Sequence, residues 1–153
     1  MTDTYALEGK TAIVTGGGKG LGKTLAQFLL EAGMNVAICG RTETAVMQTI
    51  EQFDALFPGN VIGQVCDVSK SADVASFVRK VKDTFGELHV LINNSGFGKE
   101  TLIWETSEKA WDEVMDTNVK GTFLMCKEVV PHMINNKEGY IINIASQAAL
   151  NGY

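Results

Sequence analysis

Residues 11–24 read T-A-I-V-T-G-G-G-K-G-L-G-K-T, and this stretch decides how the rest of the chain is organised. Thr11 to Thr15 is a short β-branched and apolar run, which is typical of a buried strand. The run breaks into glycine, and an amphipathic helix begins at Leu21 with apolar residues at helical spacing. A strand, a glycine turn and a helix in this order place free backbone N–H groups at the positive end of the helix. The stretch therefore predicts a phosphate-binding turn.

Two nucleotide-binding patterns overlap in this stretch. Residues 17–24 satisfy the P-loop pattern, in which Lys23 would reach the β- and γ-phosphates and Thr24 would hold Mg²⁺. Residues 16–22 instead have the G-x-x-x-G-x-G spacing of a dinucleotide-binding turn. Neither pattern decides the class of protein by itself, so the rest of the chain has to do so.

Composition and charge exclude several classes of protein. The 153 residues are 45% hydrophobic and 20% charged, which predicts a single globular domain, residues 1–153. A net charge of −5 argues against nucleic acid as a partner. No apolar run has the length of a membrane span or a signal segment, and the three cysteines are widely spaced. We therefore predict a cytoplasmic protein with buried thiols, no metal site and no membrane partner.

Short apolar runs alternate with amphipathic segments along the chain, which predicts an α/β fold with a doubly wound parallel sheet. The predicted strands are residues 11–15, 34–39, 61–66, 88–92 and 140–145. The predicted helices start at Leu21, at Thr42, at Ser69 or Ser71, and at Thr106 or Ser107, the last running to Ile134. Ligands bind to such a sheet at the carboxyl ends of its strands, and the glycine-rich and polar segments of this chain follow predicted strands.

From about Leu7 onward the chain resembles the short-chain dehydrogenase/reductase family, the Rossmann-type NAD(P)-dependent oxidoreductases. Besides the glycine turn, the N-N-A-G motif of the family is present as N-N-S-G at residues 93–96. Its helix segment runs from Asp112 through Asn118 to Gly121, and its serine strand ends at Ser146. The resemblance implies the strand order 3-2-1-4-5, with the sheet truncated after the fifth strand. The P-loop interpretation leaves these further motifs unexplained.

The resemblance also implies which residues bind the cofactor, with Asp67 at the adenine and Asn94 at the ribose, although Asp67 is interpretable nearly as well as a helix cap. We favour NADP(H) over NAD(H) because Gly40 stands where NAD-dependent members carry an acidic residue, while Arg41 and Lys19 supply two cations for a 2′-phosphate. The alternative is that both cations are solvated surface charges. The cofactor residues implied are Gly16, Lys19, Gly20, Leu21, Gly22, Arg41, Asp67, Val68, Asn94, Ser95 and Gly96.

In the family, hydride moves between the nicotinamide and a carbonyl or alcohol carbon while a tyrosine handles the proton. The resemblance places the catalytic serine at Ser146 and the helix asparagine at Asn118. No tyrosine here has a lysine four residues later, and Tyr153 follows Ser146 too closely to be the proton donor. We therefore expect a chain cut before the Tyr-x-x-x-Lys pair, and inactive alone.

The long predicted helix, residues 107–134, carries apolar residues on most of its faces, which indicates burial on two sides. One side would cover the sheet, and the other would meet a missing helix or a second subunit in a homodimer or homotetramer.

The resemblance implies that the substrate is a small carbonyl or alcohol compound. The glycine turn also has a weak likeness to that of 3-oxoacyl-thioester reductases. A non-catalytic dinucleotide-binding module and, less favoured, a P-loop nucleotide hydrolase are the alternative functions.

Overall fold

The computed structural model describes residues 6–149, so Tyr153 lies outside the described residues, as do residues 1–5. Its strands are β1 (Thr11–Thr15), β2 (Asn35–Gly40), β3 (Val61–Val65), β4 (Val90–Asn93) and β5 (Tyr140–Asn143). Its helices are α1 (Gly20–Glu31), α2 (Glu43–Asp54), α3 (Ser71–Phe85), α4 (Glu108–Met115) and α5 (Gly121–Asn136). The strands form one parallel sheet in the order β3-β2-β1-β4-β5, which confirms the predicted topology.

The sheet has an apolar core on each face, because successive residues of a strand point to opposite sides. In β1, Ile13 belongs to one core, with apolar residues of α3 and α5, and Val14 belongs to the other, with residues of α1 and α2. Both side chains are fully buried. Helices therefore cover both faces, and the central strand β1 lies between β2 and β4 with its carboxyl end at the point where strand order reverses.

The long helix differs from its predicted form. It starts at the predicted cap, where the Ser107 hydroxyl accepts a hydrogen bond from the Ala110 N–H at 3.2 Å. It is then interrupted by a π-helical turn, Asp116–Lys120, between α4 and α5. A π turn adds one residue to a helical turn and shifts the pattern that follows, but this helix is apolar on most of its faces, so its sequence pattern does not reveal the shift. Thr42 precedes α2 as predicted, but its side chain makes no capping hydrogen bond.

The outer strand β5 is uncovered in residues 6–149. Tyr140 is 52% exposed, Ile141 40% and Ile142 47%. Each of the other four strands has buried apolar residues, whereas every residue of β5 is exposed. An apolar strand of this kind at a sheet edge is a surface on which further polypeptide can pair and pack.

Candidate functional site

A cleft of about 400 Å³ lies at the carboxyl ends of the central strands. Its wall also contains Thr42, Cys66 and Thr117, to which the sequence patterns assigned no binding role, because only the fold brings these strand and helix ends together. Leu21, Gly22 and Asp67 are not part of the wall. The predicted cofactor residues that line the cleft are Gly16, Lys19, Gly20, Arg41, Val68, Asn94, Ser95 and Gly96.

The glycine turn between β1 and α1 leaves room for a ligand at one position and for nothing at another. Gly20 has a φ of +53°, and a Cβ added there would meet no atom within 4 Å. A side chain at this position would be both strained and directed into open space. At Gly22 an added Cβ would lie 2.4 Å from the Gly16 carbonyl oxygen and 2.5 Å from the Asn94 Nδ2 atom. The turn is therefore closed behind and open in front, as a pyrophosphate requires.

In the described part of the chain, residues 6–149, no side chain caps the N-terminus of α1. Lys19 occupies the cap position without a side-chain hydrogen bond to the helix, and the first turn carries no acidic residue. In contrast, the first turns of α2, α3 and α4 carry Glu43, Asp73 and Glu108. The positive end of the α1 dipole and its first N–H groups are thus available to a bound anion.

The two side chains that a P-loop would use are hydrogen-bonded to other groups of the protein. The Lys23 ammonium donates to Gln52 Oε1 of α2 at 2.5 Å and lies 5.8 Å from the centre of the Phe53 ring. The Thr24 hydroxyl donates to the Gly20 carbonyl of its own helix at 3.3 Å. This geometry favours the dinucleotide-turn interpretation over the P-loop interpretation, because a P-loop lysine has to reach the phosphates.

Thr15, the last residue of β1, fixes the segment that follows β4. Its buried hydroxyl accepts hydrogen bonds from the backbone N–H groups of Asn94, at 3.0 Å, and Ser95, at 2.9 Å. Asn94 returns the contact, because its side-chain amide donates to the Thr15 carbonyl oxygen at 3.0 Å. The predicted ribose contact of Asn94 remains a prediction, but its amide already ties the two strand ends together. The sequence patterns assigned no site role to Thr15. Its position at the end of a predicted strand was the only signal that could have indicated one.

We expect Thr15→Val to destabilise the protein by about 1–3 kcal/mol, because it removes the acceptor of two partly buried backbone N–H groups. Urea unfolding measures this change. Thr15→Ser is the matched control, since it keeps the hydroxyl, and it should stay close to the wild-type protein. Equal unfolding midpoints for the two variants would contradict the assigned role of the hydroxyl.

The two cations predicted near the adenosine ribose both line the cleft. Lys19 and Arg41 are exposed, and each follows a strand, β1 or β2. The Arg41 guanidinium lies 5.3 Å from the centre of the Phe97 ring, which belongs to the segment after β4. Gly40, which precedes it, leaves no carboxylate at the end of β2. The cleft is therefore lined by two cationic side chains, and the end of β2 carries no carboxylate.

Asp67 has a structural role in the loop after β3. Its Oδ1 atom accepts hydrogen bonds from the Ser69 hydroxyl at 2.7 Å and the Ser69 N–H at 3.1 Å. Burial would by itself raise the pKa of Asp67, but these hydrogen bonds, with the charges of Arg41 and Lys70, outweigh burial and lower the pKa below its usual value. The carboxylate shapes the turn before α3 in this way, but it does not cap that helix, because Lys70 occupies the cap position and no side-chain hydrogen bond caps the helix there. The predicted adenine contact remains a prediction.

The two predicted catalytic residues lie on different elements. Asn118 lies in the π-helical turn, and both ends of its amide bond the backbone of Phe97. Its Oδ1 atom accepts from the Phe97 N–H at 3.0 Å, and its Nδ2 atom donates to the Phe97 carbonyl at 2.9 Å. Ser146 follows β5, is exposed, and accepts a hydrogen bond from the Ala148 N–H at 3.2 Å. Among residues 6–149 its hydroxyl proton has no acceptor, so the proton can be donated to a ligand.

A second, wider cleft of about 860 Å³ lies between the loop after β4 and the segment after β5. Lys99, Thr101 and Leu102 contribute to one side of it, and Ala148, two residues after Ser146, contributes to the other. It combines apolar and polar groups, and residues of the loop after β4 form most of its wall. The structure thus provides a space for a second ligand next to the serine segment.

Two further features are absent from residues 6–149. No group of three histidine, cysteine or acidic side chains there is arranged to hold a metal ion. None of the helices in this range combines the length and the apolar character that crossing a membrane requires.

Comparison with known proteins gives consistent matches over nearly the whole chain. A model of the short chain dehydrogenase family matches residues 10–153. The hydroxy(phenyl)methylsuccinyl-CoA dehydrogenase subunit BbsD of Thauera aromatica is 36% identical over 146 residues, which are 95% of this chain and 58% of that protein. The 3-oxoacyl-acyl-carrier-protein reductase FabG of Chlamydia muridarum is 35% identical over 95% of this chain and 59% of its own length.

Solved structures agree with these sequence matches. A short chain dehydrogenase/reductase from Burkholderia phymatum, crystallised in complex with NAD, superposes with a TM-score of 0.94 and 32% identity. The superposition covers 98% of this chain and 53% of that protein. The chain therefore spans little more than half the length of the relatives that it matches.

Proposed function

The chain belongs to the short chain dehydrogenase family, and on that premise we propose that it binds NADP(H) in an oxidoreductase acting on a carbonyl or alcohol. The observation that carries the proposal is the glycine turn, which is open at Gly20, closed behind at Gly22 and followed by a helix N-terminus without a side-chain cap. Backbone N–H groups at such a turn suit the pyrophosphate of a dinucleotide. When bound, the nicotinamide would supply the hydride chemistry.

The preference for NADP(H) is supported by charge. An acidic residue at the end of β2 would bind a ribose 2′-hydroxyl and repel a 2′-phosphate, but Gly40 stands there. Arg41 offers a planar set of donors and Lys19 a point charge on the same cleft. The Burkholderia phymatum relative is in complex with NAD, so the proposal depends on these two side chains and not on the family alone.

In this proposal, the Ser146 hydroxyl orients the substrate oxygen at the edge of the second cleft. Asn118 contributes by holding the segment after β4. An asparagine amide has two donor and two acceptor positions, so one of each remains for a water molecule after the bonds to Phe97. The proton donor would be a tyrosine with a lysine four residues later. A coding sequence that continues past residue 153 into Tyr-x-x-x-Lys would support the enzyme, and its absence would favour the non-catalytic dinucleotide-binding module.

The proposed function is tested by titrating the purified protein with NADPH, NADH and ATP with Mg²⁺, using the fluorescence of the reduced nicotinamide and of Trp104 and Trp111. We expect both nicotinamide cofactors to bind, NADPH more tightly. Binding of ATP with Mg²⁺ in the absence of nicotinamide binding would overturn the proposal and support a nucleotide hydrolase.

Ser146→Ala should lower turnover of the complete enzyme by about tenfold to a thousandfold, because it removes a hydrogen bond to the oxygen on which charge develops. Cofactor affinity should stay nearly unchanged, since Ser146 does not line the first cleft. Steady-state kinetics and cofactor titration of the same variant measure the two effects. A parallel loss of cofactor affinity would show that the serine has a structural role instead.

Substrate class, assembly and location follow as further parts of the proposal. The wide second cleft suits a carbonyl compound with an acyl chain, and the relative from Chlamydia muridarum is a 3-oxoacyl-acyl-carrier-protein reductase. A homodimer or homotetramer through the 107–134 helix is supported by an exposed apolar stripe at four-residue spacing. The residues of that stripe are Trp111, Met115, Val119 and Phe123.

A cytoplasmic location is supported by the free cysteines, Cys39, Cys66 and Cys126, because thiols stay reduced in that compartment.

A further inference from the structure

A contact between Arg41 and Phe97 joins two loops at the first cleft. Arg41 follows β2, and Phe97 follows β4, two strands away in the sheet. The guanidinium carbon lies 5.3 Å from the centre of the phenyl ring, within the range of a cation–π interaction. The ring is half-buried, whereas Arg41 is exposed. An otherwise mobile, exposed side chain is thus held against a partner from another loop.

The backbone that carries the ring is held at two points. Both the N–H and the carbonyl of Phe97 are bonded to the Asn118 amide, at 3.0 Å and 2.9 Å. Asn118 in turn lies in the π-helical turn, which is continuous with α4 and α5. One step earlier, a Cβ added at Gly96 would lie 3.2 Å from Asn118 Oδ1, which shows how closely the two segments approach. The backbone that carries the Phe97 ring is therefore anchored to the long helix.

An aromatic partner leaves the charge of Arg41 unpaired, whereas a carboxylate partner would not. Asp67 and Glu113 are near enough for Arg41 to contribute to the lowered pKa of each carboxyl, in each case after stronger hydrogen bonds, from Ser69 and Lys99 respectively. No ion pair in residues 6–149 includes Arg41. A carboxylate partner would neutralise the guanidinium, whereas an aromatic face occupies its flat side and leaves the N–H groups at its edge for a phosphate.

We propose that Phe97 is a positioning residue that holds the Arg41 guanidinium at the cleft with its N–H edge free, and thereby determines the preference for a 2′-phosphate. The inference rests on the proposed function, because it concerns how the same site recognises NADP(H). Pre-organising a flexible side chain lowers the conformational entropy that binding has to remove. Phe97 is thus a specificity residue that does not itself need to touch the phosphate.

The test compares Phe97→Leu, which keeps an apolar side chain but removes the ring face, with Phe97→Tyr, which keeps the ring. Dissociation constants for NADPH and NADH are measured by fluorescence titration of each purified variant. Phe97→Leu should weaken NADPH binding by about two- to fivefold, as expected for loss of an exposed cation–π contact, and leave NADH binding unchanged. Phe97→Tyr should restore the wild-type ratio, and Phe28→Leu, the same change at a 63% exposed site on α1, should have no effect.

The arms of the experiment separate failure of this inference from failure of the proposed function. In an Arg41→Ala background, Phe97→Leu should have no further effect on NADPH binding, as a double-mutant cycle requires for a pairwise contact. If Phe97→Leu weakens the binding of NADPH and NADH equally, the ring has only a structural role. If Phe97→Leu binds NADPH more tightly, the ring keeps Arg41 from contacting the phosphate. Either result overturns the inference while the proposed function stands. If Arg41→Ala itself leaves the NADPH to NADH ratio unchanged, the proposed NADP(H) preference fails, and the role of Phe97 fails with it.

Discussion

Arg41→Asp is expected to weaken NADPH binding by about tenfold to a hundredfold, because it replaces a charge-assisted hydrogen-bond donor with a group that repels phosphate. NADH has a ribose hydroxyl in place of the phosphate, so its affinity should stay the same or rise when the new carboxylate accepts from that hydroxyl. The wild-type preference for NADPH should therefore be reversed. Titration of the purified variant with both cofactors measures the ratio of their dissociation constants.

Arg79→Asp is the matched control for this substitution. Arg79 is exposed on α3 and is the only other arginine in the sequence, so the two variants have the same net charge. A long-range effect of net charge on an anionic ligand would appear in both variants and would decrease with salt. An unchanged cofactor ratio in Arg41→Asp would identify Arg41 as a solvated surface charge, which is the alternative that the sequence left open.

The strands were predictable from sequence because each strand of the sheet interior is a short apolar run, whereas their order was predictable only from the family resemblance. β1 and β2 are buried on both faces. A short apolar run such as Thr11–Thr15 is consistent with a buried strand or with part of a buried helix. The predicted ends differ by one or two residues from the observed ones, as at β4, because hydrogen bonding and not hydropathy decides where a strand begins. The glycine turn was predictable for a similar local reason: its spacing is set by backbone geometry.

The parts of the site that the sequence could not predict all depend on contacts between distant segments. Thr15 and Ser95 are eighty residues apart, and their hydrogen bond exists only because β1 and β4 are neighbours in the sheet. The contact of Arg41 with Phe97 likewise requires the loop after β4 to be held by Asn118. Local patterns carry no information on which side chains meet across a cleft, so predicted contacts such as that of Asp67 with adenine remained open.

Gly22→Ala is expected to damage both folding and cofactor binding, although helix propensity alone predicts the opposite. Gly22 lies in the first turn of α1, where alanine is favoured over glycine by about 1 kcal/mol. The added Cβ would lie 2.4 Å from the Gly16 carbonyl oxygen and 2.5 Å from Asn94 Nδ2, and neither can move freely. Asn94 is bonded to Thr15 by its backbone and its side chain. Overpacking against such fixed atoms costs about 1–3 kcal/mol, so the steric cost should exceed the gain in propensity.

Relief of this clash would push α1 away from the end of β1, and the N–H groups of the turn would no longer converge on one anion. NADPH and NADH should therefore lose affinity together, by about tenfold or more, in contrast to the selective effect of Arg41→Asp. Urea unfolding and titration with both cofactors measure the two consequences. Thr24→Ala is the control, because Thr24 is exposed and lies two residues after Gly22 in the same helix. This variant should keep wild-type stability and wild-type cofactor affinity. A Gly22→Ala protein with wild-type stability and cofactor affinity would show that the turn does not hold the pyrophosphate.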